Sequence, residues 1–166
     1  DETRALFMLS IPTPLLQLGV GQELKGALLK VSAALPEASR REQQAARARI
    51  HLDSRWGGQP EGPGQHLGTV QAALWQDKKL RIATRMWFGG LVEQDVAPLG
   101  LAAKAGEWYL VAGALASTGA LASVNPRVFR VRSLASAEGL EERFERPAGF
   151  DLGEFWADLN VGGERV

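Results

Sequence analysis

The stretch Lys104-Ala105-Gly106-Glu107-Trp108-Tyr109-Leu110-Val111-Ala112 combines a tight turn with a strand, and the rest of the chain is organised around it. Ala105-Gly106 makes the turn, because glycine readily adopts the positive φ that two-residue hairpin connections need. Tyr109 alternates with Trp108 and Leu110, so we expect these two side chains to enter the core and the phenol to point toward solvent or a cationic face. This stretch is therefore predicted to form part of a β-hairpin.

Period-two alternation predicts further strands on both sides of this hairpin. The first begins at Leu80, and Gly89-Gly90 can turn the chain back into the second. One face of the first strand carries Leu80, Ile82 and Thr84. The other face carries Arg81, Ala83 and Arg85. The five predicted strands cover residues 80–85, 92–104, 108–112, 128–134 and 137–143. Five short antiparallel strands joined by turns are typical of a small closed barrel, because closure leaves no free sheet edge.

Helices are predicted before and after these strands. Two precede the sheet on either side of Pro36, the second running from Glu37 to Ile50, and a third short helix ends near Asp77. The apolar face of the first carries Leu24, Leu28, Val31 and Leu35, and that of the third carries Leu67, Val70 and Leu74. A last helix is expected to start after Asp151, which can cap it, with Glu154 three residues further on.

The stretch from Trp56 to Gly64 is so rich in glycine and proline that neither a helix nor a strand can continue through it. The predicted units are a helical linker or dimerisation segment at 1–55, a Gly/Pro-rich linker at 56–66, a barrel domain at 67–150 and the start of a C-terminal extension at 151–166. The expected fold class is α+β, with an N-terminal helical arm, a five-stranded antiparallel barrel and a short C-terminal helix.

Composition places the chain among soluble globular proteins, since 45% of the 166 residues are hydrophobic and 23% are charged. No apolar run approaches the ~20 residues that cross a bilayer, and cysteine is absent, which agrees with a cytoplasmic location. The 19 basic and 19 acidic side chains cancel, so polyanion binding would need a local patch. Helix-like sequence already begins at Glu2, after an initial Asp1, and we therefore expect a fragment of a larger protein.

Residues that could support catalysis or bind a metal do not form a recognisable set. His51 and His66 have no third donor at metal-ligand spacing, and we expect both to be structural or surface groups. Glu141 and Glu142 would point to opposite faces of a strand, which is poor geometry for paired acid and base catalysis. We therefore predict that the chain is not an enzyme and has no metal site or cofactor.

Basic and aromatic side chains form the candidate binding site. Arg130 and Arg132 are two apart on a predicted strand and so share a face, and Arg127 precedes them. Guanidinium groups bind phosphate or carboxylate in a bidentate way and stack on bases, and a tyrosine beside them adds a stacking platform. The predicted ligand-binding residues are Arg81, Arg85, Tyr109, Arg127, Arg130 and Arg132. The alternative is a solvated arginine face that neighbouring acids neutralise, namely Glu93, Asp95 and Glu138.

Several separated motifs, in this order, resemble the WYL domain of bacterial transcriptional regulators. They are Ala97-Pro98-Leu99-Gly100-Leu101, Trp108-Tyr109-Leu110, Arg127-Val128-Phe129-Arg130-Val131 and the stretch from Glu142 to Leu152. The resemblance implies an Sm-like or SH3-like barrel that senses a ligand, which is a nucleotide or nucleic acid for some members. It also implies a homodimer, and an N-terminal winged helix-turn-helix head, absent from this chain, that binds operator DNA.

Three positions depart from the pattern of that family. Arg132 stands where relatives tend to have an acid, Ser133 where they have an arginine, and Thr84 where they often have a tyrosine. These departures leave open either a different ligand or a loss of sensing. We predict a ligand-sensing regulatory domain that binds a nucleotide, single-stranded nucleic acid or another anionic ligand. The alternative is a structural dimerisation module that binds no ligand.

Overall fold

A computed structural model describes residues 30, 37–53, 64–116, 118, 120–121 and 125–161. The helix predicted around Leu24 to Leu35, and the Gly/Pro-rich stretch up to residue 63, lie outside these residues except for Lys30. The domain boundaries predicted above therefore stay predictions. The elements are α1 (Glu37–Arg49), β1 (Ile50–Leu52), α2 (Leu67–Gln76), β2 (Lys78–Arg85), β3 (Leu91–Lys104), β4 (Glu107–Ala114), β5 (Arg127–Arg130), a 3₁₀ turn (Val131–Ser133), β6 (Leu134–Arg143) and α3 (Leu152–Val161).

The strands form one mixed sheet with six members. Five are antiparallel neighbours in the order β5-β4-β3-β2-β6, and β1 adds to β3 in parallel. β5 and β6 follow one another through the 3₁₀ turn, but no ladder joins them in the described part of the chain. The five expected strands are all present, whereas the sheet has a sixth strand and is not closed by hydrogen bonds.

The long strand β3 holds this sheet together. Its first half pairs with β2, from Leu91 to Val96, and its second half pairs with β4 on one side and with β1 on the other. The β4 register shifts between Pro98 and Gly100, as expected because proline has no N–H for a ladder bond. The fourteen residues of β3 thus pair with three other strands.

Two apolar clusters cover opposite faces of β4. Leu110 belongs to the larger cluster, which α2 closes through its buried residues Val70, Ala73 and Leu74. Tyr109 belongs to the other cluster, which α3 closes with Leu152 and Trp156. Trp108 and Leu110 therefore lie on the core face, as predicted. Of the two alternatives predicted for Tyr109, solvent or a cationic face, the first is wrong, because α3 packs over the side chain and leaves 7% of the residue exposed.

Two element boundaries also differ from the prediction. The helix α1 ends at Arg49, and Ile50 to Leu52 form a strand, where the helical pattern had been extended to Ile50. The strand β5 ends at Arg130, because Val131 to Ser133 turn as a 3₁₀ helix toward β6. The expected cap of α3 is confirmed, since the backbone N–H of Glu154 donates to Asp151 Oδ1 over 2.8 Å.

Candidate functional site

A row of side chains crosses four strands on the α3 side of the sheet. The ladder registers align His51 of β1 with Ala102 of β3, Ala102 with Tyr109 of β4, and Tyr109 with Arg130 of β5. Residues at aligned positions point to the same face, so these four side chains form one line across the sheet. Ala102 is the small member, and its size leaves room for a large side chain above it.

Trp156 occupies the space above this row. Its ring centroid lies 5.5 Å from that of Tyr109 and 6.5 Å from that of His51, in tilted arrangements. Only 2% of the residue is exposed. Tilted and edge-directed contacts at such separations are favourable for aromatic rings. The indole thus connects His51, at one end of the row, with Tyr109, next to the other end.

Arg130 is the exposed end of the row. Its guanidinium carbon lies 5.9 Å from the centroid of the Tyr109 ring, within reach of a cation–π interaction. No carboxylate of the described residues forms an ion pair with it, and its side chain faces solvent. An exposed guanidinium held over an aromatic ring can donate to an incoming phosphate or carboxylate.

Arg132 has a different environment from the one predicted. Its Nη1 lies 3.3 Å from Oε1 of Glu107, which forms an ion pair with it. The 3₁₀ turn interrupts the strand, so Arg130 and Arg132 do not share a strand face as the period-two pattern suggested. Glu107 therefore offsets part of the positive charge near the Arg130 end of the row.

Arg127 lies three positions before Arg130 on β5 and thus on the other face of the strand. Its Nη1 donates to Oε1 of Gln94 over 3.0 Å, and its guanidinium carbon lies 5.1 Å from the centroid of the Phe129 ring. Phe129 belongs to the cluster that α2 covers. Arg127 and Arg130 therefore do not converge on one ligand from the same face.

Arg81 is neutralised by an acid, as the alternative reading expected. Its Nε and Nη2 donate to the two carboxylate oxygens of Asp95, over 2.7 and 2.9 Å. This hydrogen bonding raises the pKa of Arg81 and lowers the pKa of Asp95. The negative charges of Glu138 and Glu93 also raise the pKa of Arg81. The bidentate pair occupies the donor edge that a ligand would need.

Of the six predicted ligand-binding residues, the structure thus brings Arg130 and Tyr109 into contact. Arg132 lies in the turn after β5, and Arg81 and Arg127 have other polar partners. Sequence reasoning missed His51 as a member of the row and did not include Trp156 among the predicted site residues. The strand character of Ile50-His51-Leu52 would have been the signal for His51, but three residues are too few to read by periodicity.

A comparison with protein families matches the part of the sheet that carries Tyr109 and Arg130. The family model named WYL domain matches residues 65–138, which span α2, β2 to β5 and part of β6. This chain contains a WYL domain. No curated protein matches the chain.

A similar solved structure is that of Proteasome accessory factor B/C (PafBC) of Arthrobacter aurescens. It is 24% identical in sequence, with a TM-score of 0.43, and the match covers 53% of this chain. The match covers 13% of PafBC, so the chain spans a small part of that protein's length.

Arg85 lies at the tip of the β2–β3 hairpin of the WYL domain, away from the row. Its side chain is exposed and has no ion-pair partner within the described ranges. Trp87 and Phe88 follow it in the turn, 93% and 67% exposed, with their rings 5.6 Å apart in an edge-on contact. Leu91 is also exposed. Such a cluster is typical of a contact surface, because isolated proteins rarely expose large apolar side chains together.

A second polar cluster joins α1 to the WYL domain. Nη2 of Arg49 donates to both carboxylate oxygens of Asp77, over 2.9 and 2.8 Å, and its Nε donates to the carbonyl of Leu74. Arg146 donates to the same carboxylate and to the carbonyl of Leu99. Burial lowers the pKa of Arg146, and the nearby Arg49 lowers it further, while Asp77 opposes both effects.

The described residues contain no group of three His, Cys, Asp or Glu side chains that could hold a metal ion. None of their helices is long and apolar enough to cross a membrane.

Proposed function

We propose that this chain is the ligand-sensing regulatory part of a bacterial transcriptional regulator, and that it binds an anionic ligand at Arg130 and Tyr109. The WYL domain at residues 65–138 supports the regulatory assignment. The observation that carries the site is the exposed guanidinium of Arg130, which rests over the Tyr109 ring without a carboxylate partner among the described residues. The ligand is a nucleotide, single-stranded nucleic acid or another anion.

The chemistry of binding follows from this geometry. The guanidinium of Arg130 would donate two parallel hydrogen bonds to a phosphate or carboxylate. The Tyr109 ring would keep the guanidinium in place, so less side-chain freedom is lost when the ligand binds. Arg132 would contribute only if the ligand competed with Glu107.

In the whole protein, operator DNA would be read by a separate helix-turn-helix unit, and the segment at 1–55 would connect that unit to the WYL domain. The sheet would act as an Sm-like barrel, an interpretation supported by the return of β6 to pair with β2 directly after the turn from β5. The protein would be a cytoplasmic homodimer without catalytic activity.

Ligand binding can be tested by fluorescence anisotropy with short labelled single-stranded DNA and RNA at two salt concentrations. We expect Arg130→Ala to weaken binding by at least about tenfold, because a hydrogen bond to a charged group contributes roughly 1.5–3 kcal/mol. The slope of the logarithm of affinity against the logarithm of salt concentration should also become shallower, by the amount that corresponds to one lost phosphate contact. Nucleoside triphosphates, added as competitors, test a nucleotide as the ligand.

Arg143→Ala is the matched control, because Arg143 is also exposed, lies at the end of β6 and has no ion pair in the described part of the chain. It removes the same charge from a different place. Binding that does not depend on salt, or that both replacements weaken equally, would contradict a specific contact between Arg130 and phosphate.

A structural dimerisation module is the second candidate, and the exposed tip of the β2–β3 hairpin favours it. Trp87 and Phe88 together present an apolar surface beside the cationic Arg85. Trp and Arg are enriched among residues that contribute most to protein interfaces. In this reading the tip contacts a second copy of the chain and no ligand is sensed.

Sedimentation velocity at increasing protein concentration tests this candidate. We expect Trp87→Ser and Phe88→Ser to shift the protein from dimer toward monomer and to change its stability by less than about 0.5 kcal/mol, because neither side chain is buried. Trp87→Phe is the control, since it keeps an aromatic ring at the tip. Unchanged sedimentation in both serine variants would exclude the hairpin tip as the dimer contact.

A further inference from the structure

A continuous series of ring contacts leads from the exposed Arg130 to the end of helix α1. Arg130 lies over Tyr109, Tyr109 contacts Trp156, and Trp156 contacts His51. His51 follows the last residue of α1, Arg49, by two positions. The proposed ligand site and the N-terminal helix are thus connected through three aromatic side chains.

Trp156 is held tightly at the centre of this series. Its helix, α3, packs so closely on β3 that a Cβ added at Gly100 would lie 2.6 Å from both Cδ atoms of Leu152. The same helix also contacts α1 and β1. Close-packed interiors respond to a displacement by moving neighbouring groups rather than by compressing. A shift of Tyr109 would therefore be passed to α3.

The end of α1 is fixed on its other side. Arg49 is hydrogen-bonded to the Asp77 carboxylate and to the carbonyl of Leu74. Because α1 and β1 are continuous in the chain, a displacement of His51 must either strain these bonds or rearrange them. Interfaces of this kind favour discrete arrangements over gradual deformation.

We propose that Trp156 is a positioning residue that couples occupancy of the Arg130 site to the packing of α1. This inference rests on the proposed function for the identity of the signal, and it names the regulation of that site. An anion bound to Arg130 pairs with the guanidinium charge and so weakens its cation–π attraction to the Tyr109 ring. Tyr109 and Trp156 then repack, and α3 and His51 carry the change to α1. A ligand has this effect only if its affinity differs between the two arrangements.

The first experiment needs no ligand, so its outcome is independent of the proposed function. Hydrogen exchange of the α1 amides from Ala45 to Arg49 is compared between the wild-type chain and Arg130→Ala, which removes the cation from the Tyr109 ring. We expect the exchange rates to change about threefold. In the Trp156→Phe background the same Arg130→Ala replacement should leave them unchanged. No change with Trp156 intact, or an equal change in both backgrounds, would overturn the inference.

The second experiment repeats the exchange measurement with and without the single-stranded oligonucleotide used for anisotropy. We expect the oligonucleotide to change α1 exchange in the wild-type chain, and Trp156→Phe to bind it with an affinity within about threefold of wild type but to lose the α1 response. Trp87→Phe, the same replacement at the exposed hairpin tip, should keep the response. A retained response in Trp156→Phe would overturn the inference, whereas absence of binding to the wild type would contradict only the proposed function.

His51→Ala provides a second variant should Trp156→Phe lower the thermal stability markedly. It removes the contact on the far side of the indole and leaves the contact between Trp156 and Tyr109 in place. The expected result is again normal oligonucleotide affinity with a lost α1 response. An α1 response equal to that of the wild type would show that the signal does not pass through the three rings.

Discussion

Replacing Asp77 with asparagine should lower the free energy of unfolding by about 2–3 kcal/mol, because two guanidinium groups then lose their carboxylate. Arg49 and Arg146 both donate to this side chain. The side chain of Arg49 is 13% exposed, that of Arg146 is 19% exposed and that of Asp77 is 32% exposed. Water can therefore replace part of the lost interaction, and the expected loss lies below the roughly 3–5 kcal/mol of fully buried pairs.

Asparagine is the informative replacement because it isolates the charge from the backbone. Asp77 has a φ of 50°, in the left-handed region, and forms the C-cap of α2. Asparagine tolerates that region about as well as aspartate does, whereas alanine would add backbone strain. The side-chain shape and one acceptor oxygen are also retained.

Urea unfolding followed by circular dichroism measures this effect. Asp95→Asn is the matched control, since Asp95 also receives two guanidinium hydrogen bonds but its pair with Arg81 is more exposed. We expect a much smaller loss for the control, because exposed ion pairs contribute little. A loss below about 0.5 kcal/mol for Asp77→Asn would indicate that water satisfies both arginines.

Adding one methyl group at Gly100 should destabilise the fold by about 2 kcal/mol, as overpacking of a filled core does. The new Cβ would lie 2.6 Å from each Cδ of Leu152. Leu152 is 1% exposed and cannot turn into solvent. The helix α3 would therefore have to move away from β3. Thermal or urea unfolding of Gly100→Ala measures the loss.

A double-mutant cycle distinguishes this clash from a general intolerance of the strand. Leu152→Ala alone should cost about 3 kcal/mol through the cavity it leaves. Combined with Gly100→Ala, the total should fall short of the sum by about 1 kcal/mol or more, because the new methyl group then has space. Gly139→Ala is the control, since nothing lies within 4 Å of its added Cβ, and it should be neutral or slightly stabilising. Strict additivity would contradict the proposed clash.

Much of the sheet could be predicted from local patterns. Leu80 and Ile82 are buried while Arg81 and Arg85 are exposed, as period-two alternation in β2 predicted. The cap at Asp151 was readable for the same reason, because it depends on residues within one turn. Such features involve neighbours in sequence, and their geometry repeats from protein to protein.

The features that were missed depend on residues far apart in the chain. Tyr109 is buried because Trp156, on a helix that follows some forty-five residues later, packs on it, and no pattern within β4 indicates that cover. His51 pairs with Ala102, about fifty residues away, through a strand of three residues. Tertiary contacts of this kind override local propensity.

In the candidate site, too, the features set by local sequence were predicted and those set by distant residues were not. Alternation correctly placed Tyr109 opposite Leu110, and the ladder then brought Arg130 beside it. The 3₁₀ turn at Val131 to Ser133 could not be read from its sequence, so the position of Arg132 was wrong. The sequence offered three acids that could neutralise Arg81, and Asp95 was one of them. Asp95 pairs with Arg81 because the β2–β3 register places the two residues opposite each other.

The parallel pairing of β1 has a practical consequence for anyone who wishes to produce the domain alone. The family match starts at residue 65, yet the strand that completes one edge of β3 lies at Ile50–Leu52. A truncation at residue 65 would strip that edge from Leu101 to Ala103 and leave its amide and carbonyl groups open to pairing with other molecules. Recombinant boundaries are therefore better chosen ahead of Glu37, so that the short strand and the helix that leads into it are both retained.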